Sequence, residues 1–306
     1  MGWEFKDRRV RRLFGRWGDK CPTLGGEARN FRGAVVGRLD GGGRVEFFMD
    51  KSPKRIVVKF GSGILANPQG TSLDDGQIQR LSAEVADLVK FGHECVIVSS
   101  GAVAAGLGVL GLNERPEDLV ARQACAAIGQ SKLMQSYTTH FENYGLNVAQ
   151  LLLTYSDLDS RTASHNVANT LARLFERRTV VPIINENDPV AVEELKFGDN
   201  DRLSAEVALL VKADLLILLT SVDGLLDEQG QVVRVVEEVG EVASLARQEK
   251  GKFSVGGMIS KLQAVKSAVD GGISTYIVSG TKAGQMGAVV EGRVAGTRFL
   301  GKGETR

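Results

Sequence analysis

Cysteine and histidine are scarce in this 306-residue chain, with three of each. Cys21, Cys95 and Cys125 are odd in number and widely spaced, without a C-x-x-C pair. That pattern predicts free, reduced thiols in a cytoplasmic protein. His93, His140 and His165 have no spacing suited to zinc, so no metal cage of His and Cys is expected. Each histidine reads instead as a surface or helix-face residue. No stretch approaches the roughly 18 uncharged apolar residues of a membrane span. The start, Met1-Gly2-Trp3-Glu4-Phe5-Lys6, lacks the apolar core of a secretory signal. The expectation is a soluble protein that neither spans nor anchors in a membrane. Residues 55–300 contain no internal repeat and no low-complexity linker.

What is present is ordinary for a globular protein: 43% hydrophobic and 25% charged residues. That supports a substantial core, in one large α/β domain or two smaller ones. The formal net charge of +1 hides an asymmetry, because residues 1–48 carry 11 Lys+Arg against 6 Asp+Glu, a local +5. The remainder is therefore −4, which argues against a nucleic-acid enzyme. Residues 1–48 also hold both tryptophans, ten glycines and the run Arg8-Arg9-Val10-Arg11-Arg12. No hydrophobic period persists there. The stretch reads as a basic Gly/Arg-rich extension, either an arm for RNA or a membrane surface, or a disordered or non-native segment. In the last case Met49, just before Asp50-Lys51-Ser52-Pro53-Lys54, is a natural start.

From Arg55 onwards strands and helices alternate. Short apolar runs predict strands at Ile56–Phe60, Glu94–Val98, Val148–Leu153, Val180–Ile184, Leu215–Leu219 and Ser274–Val278. Ile78, Leu81, Val85, Leu88 and Val89 keep helical spacing within Asp74–Phe91. Further helices are expected after Gly101, over Glu117–Tyr144, from Asp159 to Glu176, over Leu203–Val211 and over Ser260–Val269. This rhythm predicts a mainly parallel sheet with helices on both faces. In such sheets ligands sit at the carboxyl ends of strands, and the polar and Gly-rich motifs fall there.

Six clusters carry candidate chemistry. Val57-Val58-Lys59-Phe60-Gly61-Ser62-Gly63 places a lysine beside a loop whose amides can close on phosphate oxygens. Gly256-Gly257-Met258-Ile259-Ser260-Lys261 places a second lysine at a helix N-terminus, where the dipole favours anions. Taken singly, neither motif is specific, and a lone Gly-Gly turn is more readily a plain loop. Ser99-Ser100-Gly101-Ala102 offers hydroxyls and free amides to a carboxylate or phosphate. Asn185-Glu186-Asn187-Asp188 follows an apolar strand, and the acceptor-only carboxylate of Asp188 could hold an ammonium. Gly198-Asp199-Asn200-Asp201 precedes a helix and could be only its N-cap. Thr220-Ser221-Val222-Asp223-Gly224-Leu225 could line an adenine or ribose site, or be a surface loop.

Together these clusters resemble the amino acid kinase family, and within it the glutamate 5-kinases. The resemblance runs from about Arg55 to Phe299. It is sharpest in Ile184-Asn185-Glu186-Asn187-Asp188, in Gly198-Asp199-Asn200-Asp201-Arg202-Leu203-Ser204-Ala205 and in Gly256-Gly257-Met258-Ile259-Ser260-Lys261-Leu262-Gln263-Ala264. It implies a three-layer α/β/α sandwich with a mainly parallel central sheet, and transfer of phosphate from Mg²⁺-ATP to the γ-carboxylate of L-glutamate, the first step of proline synthesis. The resemblance makes Lys59, Lys261 and Asp201 catalytic: two lysines on the transferred phosphoryl and leaving groups, and a carboxylate organising both. It assigns glutamate to Ser100, Gly101, Asp188, Asn200 and Asn185. It assigns ATP to Lys59, Gly61, Thr220, Ser221, Val255, Gly256, Gly257, Met258, Ile259, Ser260 and Lys261, with Ser62 a further amide donor. Lys196 reads either as a substrate or effector contact or as a solvated lysine. The resemblance further implies feedback inhibition by proline. The apolar and small residues of Leu119–Phe141 could pack against a second subunit, so a homo-oligomer is expected, and the labile acyl phosphate is either released free or handed to a glutamyl phosphate reductase.

A carboxylate is already a nucleophile at neutral pH, so the reaction needs no general base. That fits a chain with no Ser-His-Asp triad. Two departures stand out: Ser221 occupies a position that is often Asp in the family, and Arg306 ends the chain short of the RNA-binding-like (PUA) domain many relatives carry. Two alternatives share the fold, a kinase for another acidic amino acid and a non-catalytic amino-acid or nucleotide sensor. The acidic Asp188 disfavours an acetylated amine, and retention of both lysines disfavours a sensor.

Overall fold

The computed structural model describes residues 27–29, 35–39, 45–49, 52–191, 199–242, 245 and 257–304. The chain divides into two units, Met1–Ser52 and Pro53–Arg306. In the first, where the sequence shows no sustained period, strands β1 (Glu27–Arg29), β2 (Val35–Leu39) and β3 (Val45–Met49) pair antiparallel in the order β1-β2-β3.

The second unit is built on strands β4 (Arg55–Phe60), β5 (Glu94–Ser99), β6 (Asn147–Leu153), β7 (Val180–Glu186), β8 (Leu215–Thr220), β9 (Val235–Val236), β10 (Ser274–Ser279) and β11 (Thr297–Phe299). They form one sheet in the order β6-β7-β5-β4-β8-β10-β11-β9. Every pairing is parallel except β10 with β11. Among the described residues the helices are α1 (Ser62–Leu65), α2 (Asp75–Lys90), α3 (Ala102–Leu110), α4 (Leu119–Glu142), α5 (Tyr155–Asp159), α6 (Arg161–Phe175), α7 (Asp199–Leu210), α8 (Gly257–Asp270) and α9 (Gln285–Val290). None is long and apolar enough to cross a membrane.

Side chains alternate across each strand, so the two sheet faces collect separate cores. Ile56, Val58 and Phe60 of β4 and Leu215, Ile217 and Leu219 of β8 pack with Leu81 of α2, with Leu133, Tyr137 and Phe141 of α4 and with Met286 of α9. Val57, Leu216 and Leu218 pack on the opposite face with Leu171 of α6, Leu203 and Val207 of α7 and Leu262 and Val265 of α8. This is the expected three-layer α/β/α sandwich. Burial of these aliphatic side chains, worth about 1.5–3 kcal/mol each, is what holds the layers.

Strand order decides where ligands can enter. From β4 the chain moves to β5 and onward to β6 and β7. It then returns to lay β8 against the other side of β4. The crevice between β4 and β8 is thus a topological switch point, the usual ligand site of such sheets.

The expected elements all form, with boundary corrections that matter. β7 runs two residues past Ile184, to Glu186, so Asn185 and Glu186 end a strand rather than begin a loop. Helix α7 starts at Asp199 rather than Leu203, which puts Asn200 and Asp201 in its first turn. The helix expected from Asp159 to Glu176 forms as α6, capped by the side chain of Ser160, and a short helix that was not expected, α5, precedes it. Cys95 and Cys125 are free and buried; burial raises the Cys95 thiol to about 12. Cys21 lies outside the described residues. His140 is a helix residue, as one of the two expectations had it, but on the buried side of α4, and its Nε2 lies 3.0 Å from Asp75 Oδ1 of α2.

Candidate active site

Lys59 is the fifth residue of β4, and alternation turns its side chain away from Phe60, onto the face covered by α7 and α8. There its Nζ meets Asp201 Oδ1 at 2.6 Å. Lys261, in the second turn of α8, meets the other oxygen of the same carboxylate at 3.1 Å. Ser260 Oγ donates to Asp201 Oδ2 at 3.2 Å. All three charged side chains are buried: Lys59 is 5% exposed, Asp201 1% and Lys261 7%.

The electrostatics follow from burial. Desolvation pulls the Lys59 ammonium below its usual range, the charge of Lys261 acts the same way, and Asp201 opposes both. Burial also works against ionised Asp201, but the two lysines outweigh it and hold the carboxyl below its ordinary value. One negative and two positive groups leave a net +1 in a site nearly cut off from water. An uncompensated buried charge is expensive, so the cluster favours an incoming anion.

Gly61 leaves room beside it. A Cβ there would stand 3.5 Å from Lys59 Nζ and 3.4 Å from the carbonyl of Leu219. Gly61 is also the N-cap residue of α1, with no side-chain cap hydrogen bond. Thr220 ends β8 alongside and is buried, while Ser221 is exposed. The Thr220 carbonyl accepts from the amide of Gly280 at 2.7 Å, tying the ends of β8 and β10 together. Farther out, Lys282 Nζ reaches Asp223 at 2.7 Å. Gly257 opens α8 with φ of +52°, a conformation that favours glycine. Met258 is buried and Ile259 half exposed. Val255, Gly256, Lys196 and Gly198 lie outside the described residues.

A second group gathers beside this one. Asn200 Nδ2 donates to Ser100 Oγ at 3.0 Å and to Asn185 Oδ1 at 3.1 Å. Asn185 in turn donates through Nδ2 to Gln130 Oε1 at 2.8 Å. Ser100 sits at the turn after β5, with Gly101 at φ +101° capping α3. That turn is held by α4: Ser99 Oγ lies 2.8 Å from the buried hydroxyl of Tyr137. Helices α3 and α4 touch through glycine, since a Cβ on Gly129 would come within 1.8 Å of the Ala102 carbonyl and one on Gly106 within 1.9 Å of that of Cys125. A cavity of about 280 Å³ opens between α4 and the end of β7, lined by Gln130, Ser131, Gln150, Glu186 and Asp188 among others. Asp188 is half-buried at the start of a short 3-10 turn, Asp188–Val190, in electrostatic range of Arg115.

The structure therefore brings Lys59, Lys261 and Asp201 into one cluster and Ser100, Asn185 and Asn200 into a second, with Asp188 in the adjoining cavity. Sequence reading missed Gln130, Gln150, Tyr137 and Arg115. Gln130 and Tyr137 look like ordinary residues on a helix, and only contact with Asn185 and Ser99 marks them. Among the described residues no group of three or more His, Cys, Asp or Glu could hold a metal ion.

Comparison with known proteins bears on this arrangement. The profile of the amino acid kinase family matches residues 54–279. A glutamate 5-kinase of Moorella thermoacetica is 46% identical over 254 residues, covering 81% of this chain and 67% of that protein. One from Geobacter sp. strain M21 is 44% identical over 262 residues, covering 83% and 70%. One from Clostridium acetobutylicum is 42% identical over 255 residues, covering 81% and 95%. Among solved structures, UMP kinase from Bacillus anthracis aligns with a TM-score of 0.55 at 16% identity, over 82% of this chain and 97% of that one. N-acetylglutamate synthase from Neisseria gonorrhoeae aligns with a TM-score of 0.60 at 13% identity, over 82% of this chain and 60% of that one. At such identities the two structures speak for the fold alone. With a family profile across most of the second unit and relatives above 40% identity over four fifths of the chain, this protein belongs to the amino acid kinase family, in its glutamate 5-kinase branch.

Proposed function

We propose that this chain transfers the γ-phosphoryl group of ATP to the γ-carboxylate of L-glutamate, forming L-glutamyl 5-phosphate for proline synthesis. The relatives' shared activity supports the reaction. The observation that carries the assignment of residues is Asp201 bridging Lys59 and Lys261 at 2.6 and 3.1 Å. Phosphoryl transfer asks a protein mainly for position and positive charge, because the transition state has little covalent demand. Two buried ammonium groups on one carboxylate meet that need, since their spacing is preset before substrate arrives.

Each residue then has a task. Lys59, with the amides near Gly61 and Ser62, holds the transferring group at the carboxyl end of β4. Lys261, near the N-terminus of α8, faces the leaving oxygens, with Val255–Ser260 forming the nucleotide segment. Thr220 and Ser221 line the nucleotide on the β8 side. Ser100, Gly101, Asn185 and Asn200 hold the glutamate, and Asp188 accepts from its α-ammonium. Glutamate's carboxylate attacks in its ionised form, so no residue need remove a proton. Mg²⁺ would reach this site on the phosphates of the nucleotide, as that ion commonly does. The kinase reading belongs to residues 49–306 and draws nothing from residues 1–48. Proline keeps the α-carboxylate and amine of glutamate but has no γ-carboxylate, so as an inhibitor it would occupy the Asp188 end of the site.

The test is ADP release with L-glutamate and Mg²⁺-ATP, with hydroxylamine trapping the acyl phosphate as a hydroxamate. Glutamate-dependent hydroxamate, absent with N-acetylglutamate or aspartate, is the expected result. ATP binding with no trapped product would overturn it.

A further inference from the structure

The hydrogen bonds around Asn185 have a direction, and one backbone group sets it. The amide of Glu186 donates to Asn185 Oδ1 at 2.9 Å. A backbone N–H can only donate, so that atom of Asn185 is oxygen, and the side-chain nitrogen must point the other way. That nitrogen donates to Gln130, which identifies the receiving atom of Gln130 as Oε1. Gln130 Nε2 is then a donor with both hydrogens to give. It is buried, makes no hydrogen bond among the described residues, and belongs to a side chain lining the 280 Å³ cavity with Asp188.

The other end of the relay is set by the same logic. Asn185 Oδ1 receives from Asn200 Nδ2, which also donates to Ser100 Oγ. Asn200 Oδ1 is therefore an acceptor, again buried and unpartnered among the described residues. Buried donors and acceptors without partners are costly and uncommon. Here one lies at the Gln130 end, and the other on Asn200 next to the Ser100 end, of a four-residue relay that runs from the cavity to the turn after β5.

We propose that Gln130 is a specificity residue for the acceptor amino acid, its Nε2 donating to the substrate's α-carboxylate. This rests on the glutamate kinase reading and adds to it a residue that reading does not use. The orientation follows from the two ends of the substrate. The γ-carboxylate must approach Lys59 and Lys261, beside the Ser100 and Asn200 end of the relay. The α-carbon then lies toward the cavity, where Asp188 serves the ammonium and Gln130 supplies a neutral donor to the carboxylate next to it. Arg115 already lies in electrostatic range of Asp188, so a neutral donor on Gln130 serves the carboxylate without adding a second cation to compete with the substrate ammonium.

The test substitutes Gln130→Glu, which keeps the oxygen that accepts from Asn185 and replaces the donor with a carboxylate oxygen. Acceptors are L-glutamate and its α-amide, L-isoglutamine, which retains the γ-carboxylate but presents an amide instead of the α-carboxylate. Initial rates and calorimetric binding isotherms are recorded for both, with thermal melting as a check on folding. The expected outcome is a rise of about tenfold or more in KM and Kd for glutamate. The values for isoglutamine should stay level or fall, and KM for ATP should hold within about threefold. Gln130→Met, which removes both polar ends, should weaken discrimination between the two acceptors without reversing it.

Equal losses for both acceptors in Gln130→Glu, or an unchanged preference for glutamate, would overturn the proposal, since a structural role moves both alike. Wild-type protein that binds glutamate but releases no ADP would overturn the kinase reading instead, and the isotherms would still decide the role of Gln130. Wild-type protein that binds no glutamate would overturn both.

Discussion

Lys59 on β4 and Asp201 on α7 meet at 2.6 Å, Nζ to Oδ1, with both side chains buried. A lysine on the next residue of the strand would face the opposite core. An aspartate two residues later on the helix would turn about 200° away from the sheet. The contact depends on strand parity and helix phase agreeing. It also leaves Oδ2 free for Lys261, so that one carboxylate sets the distance between two cations.

Lys59→Ala is expected to lower kcat by roughly 10²–10³, by analogy with loss of a single oxyanion donor. The effect should fall on kcat more than on KM for glutamate, because Lys59 is assigned to the transferring group. Steady-state kinetics with both substrates varied checks this, and a near-wild-type rate would remove Lys59 from its role.

Activity is expected to fall on the alkaline side at lower pH than an ordinary lysine would dictate. Burial lowers the Lys59 ammonium, and only the protonated form carries the charge the phosphoryl group needs. Activity is thus retained below the lowered pKa and lost as pH rises through it. Lys59→Arg, with a guanidinium that stays charged, should shift that limb upward even at reduced rate. A pH profile of kcat for the two proteins decides it.

Asp201→Asn should destabilise the fold by about 3–5 kcal/mol, because it leaves two ammonium groups buried without a counter-charge. The sign with pH is also set. Asp201 is held below its usual pKa, so its contribution is fully present above the unfolded value near 4 and is lost as pH falls through the folded one. The urea midpoint of the wild type should therefore drop on acidification more than that of the variant.

Gly129→Ala tests how the glutamate end is held. The added Cβ would fall 1.8 Å from the Ala102 carbonyl, so α3 and α4 must part, at a cost of about 1–3 kcal/mol or more. Because Gly101 and Ser100 lead into α3, KM for glutamate should rise while KM for ATP stays near the wild-type value. Thermal melting and KM measurements read the two effects separately.

Tyr137→Phe removes only the hydroxyl bonded to Ser99 Oγ. Loss of about 0.5–1.5 kcal/mol in stability is expected, with a small loss of activity, because Ser99 Oγ still donates to the carbonyl of Ser100 at 2.9 Å. A large loss of kcat would show that Tyr137 does more than position that turn.

Much of this was readable in the sequence because it rests on local periodicity. The alternation of short apolar runs with helical faces such as Ile78-Leu81-Val85 required an α/β sheet, and the strand-end motifs put polar chemistry where such a sheet binds ligands. Lys59, Asp201 and Lys261 could be picked out, each from its own motif. The boundaries at Asn185 and Asn200 were misread because polar residues look like loop. Asn185 is satisfied by a strand-end network with Glu186, Gln130 and Asn200, and Asn200 by Ser100 and Asn185. Local pattern cannot register partners so far along the chain.

Periodicity and composition thus determined the layers, the parallel sheet and the residue types able to meet a phosphoryl group. Tertiary structure alone decided that Lys59 and Lys261 share one carboxylate, that α3 and α4 touch through Gly106 and Gly129, and that Gln130 ends a relay with a donor unpartnered among the described residues. Those relationships depend on strand order, helix phase and hydrogen-bond direction, which arise only when segments distant in sequence pack together.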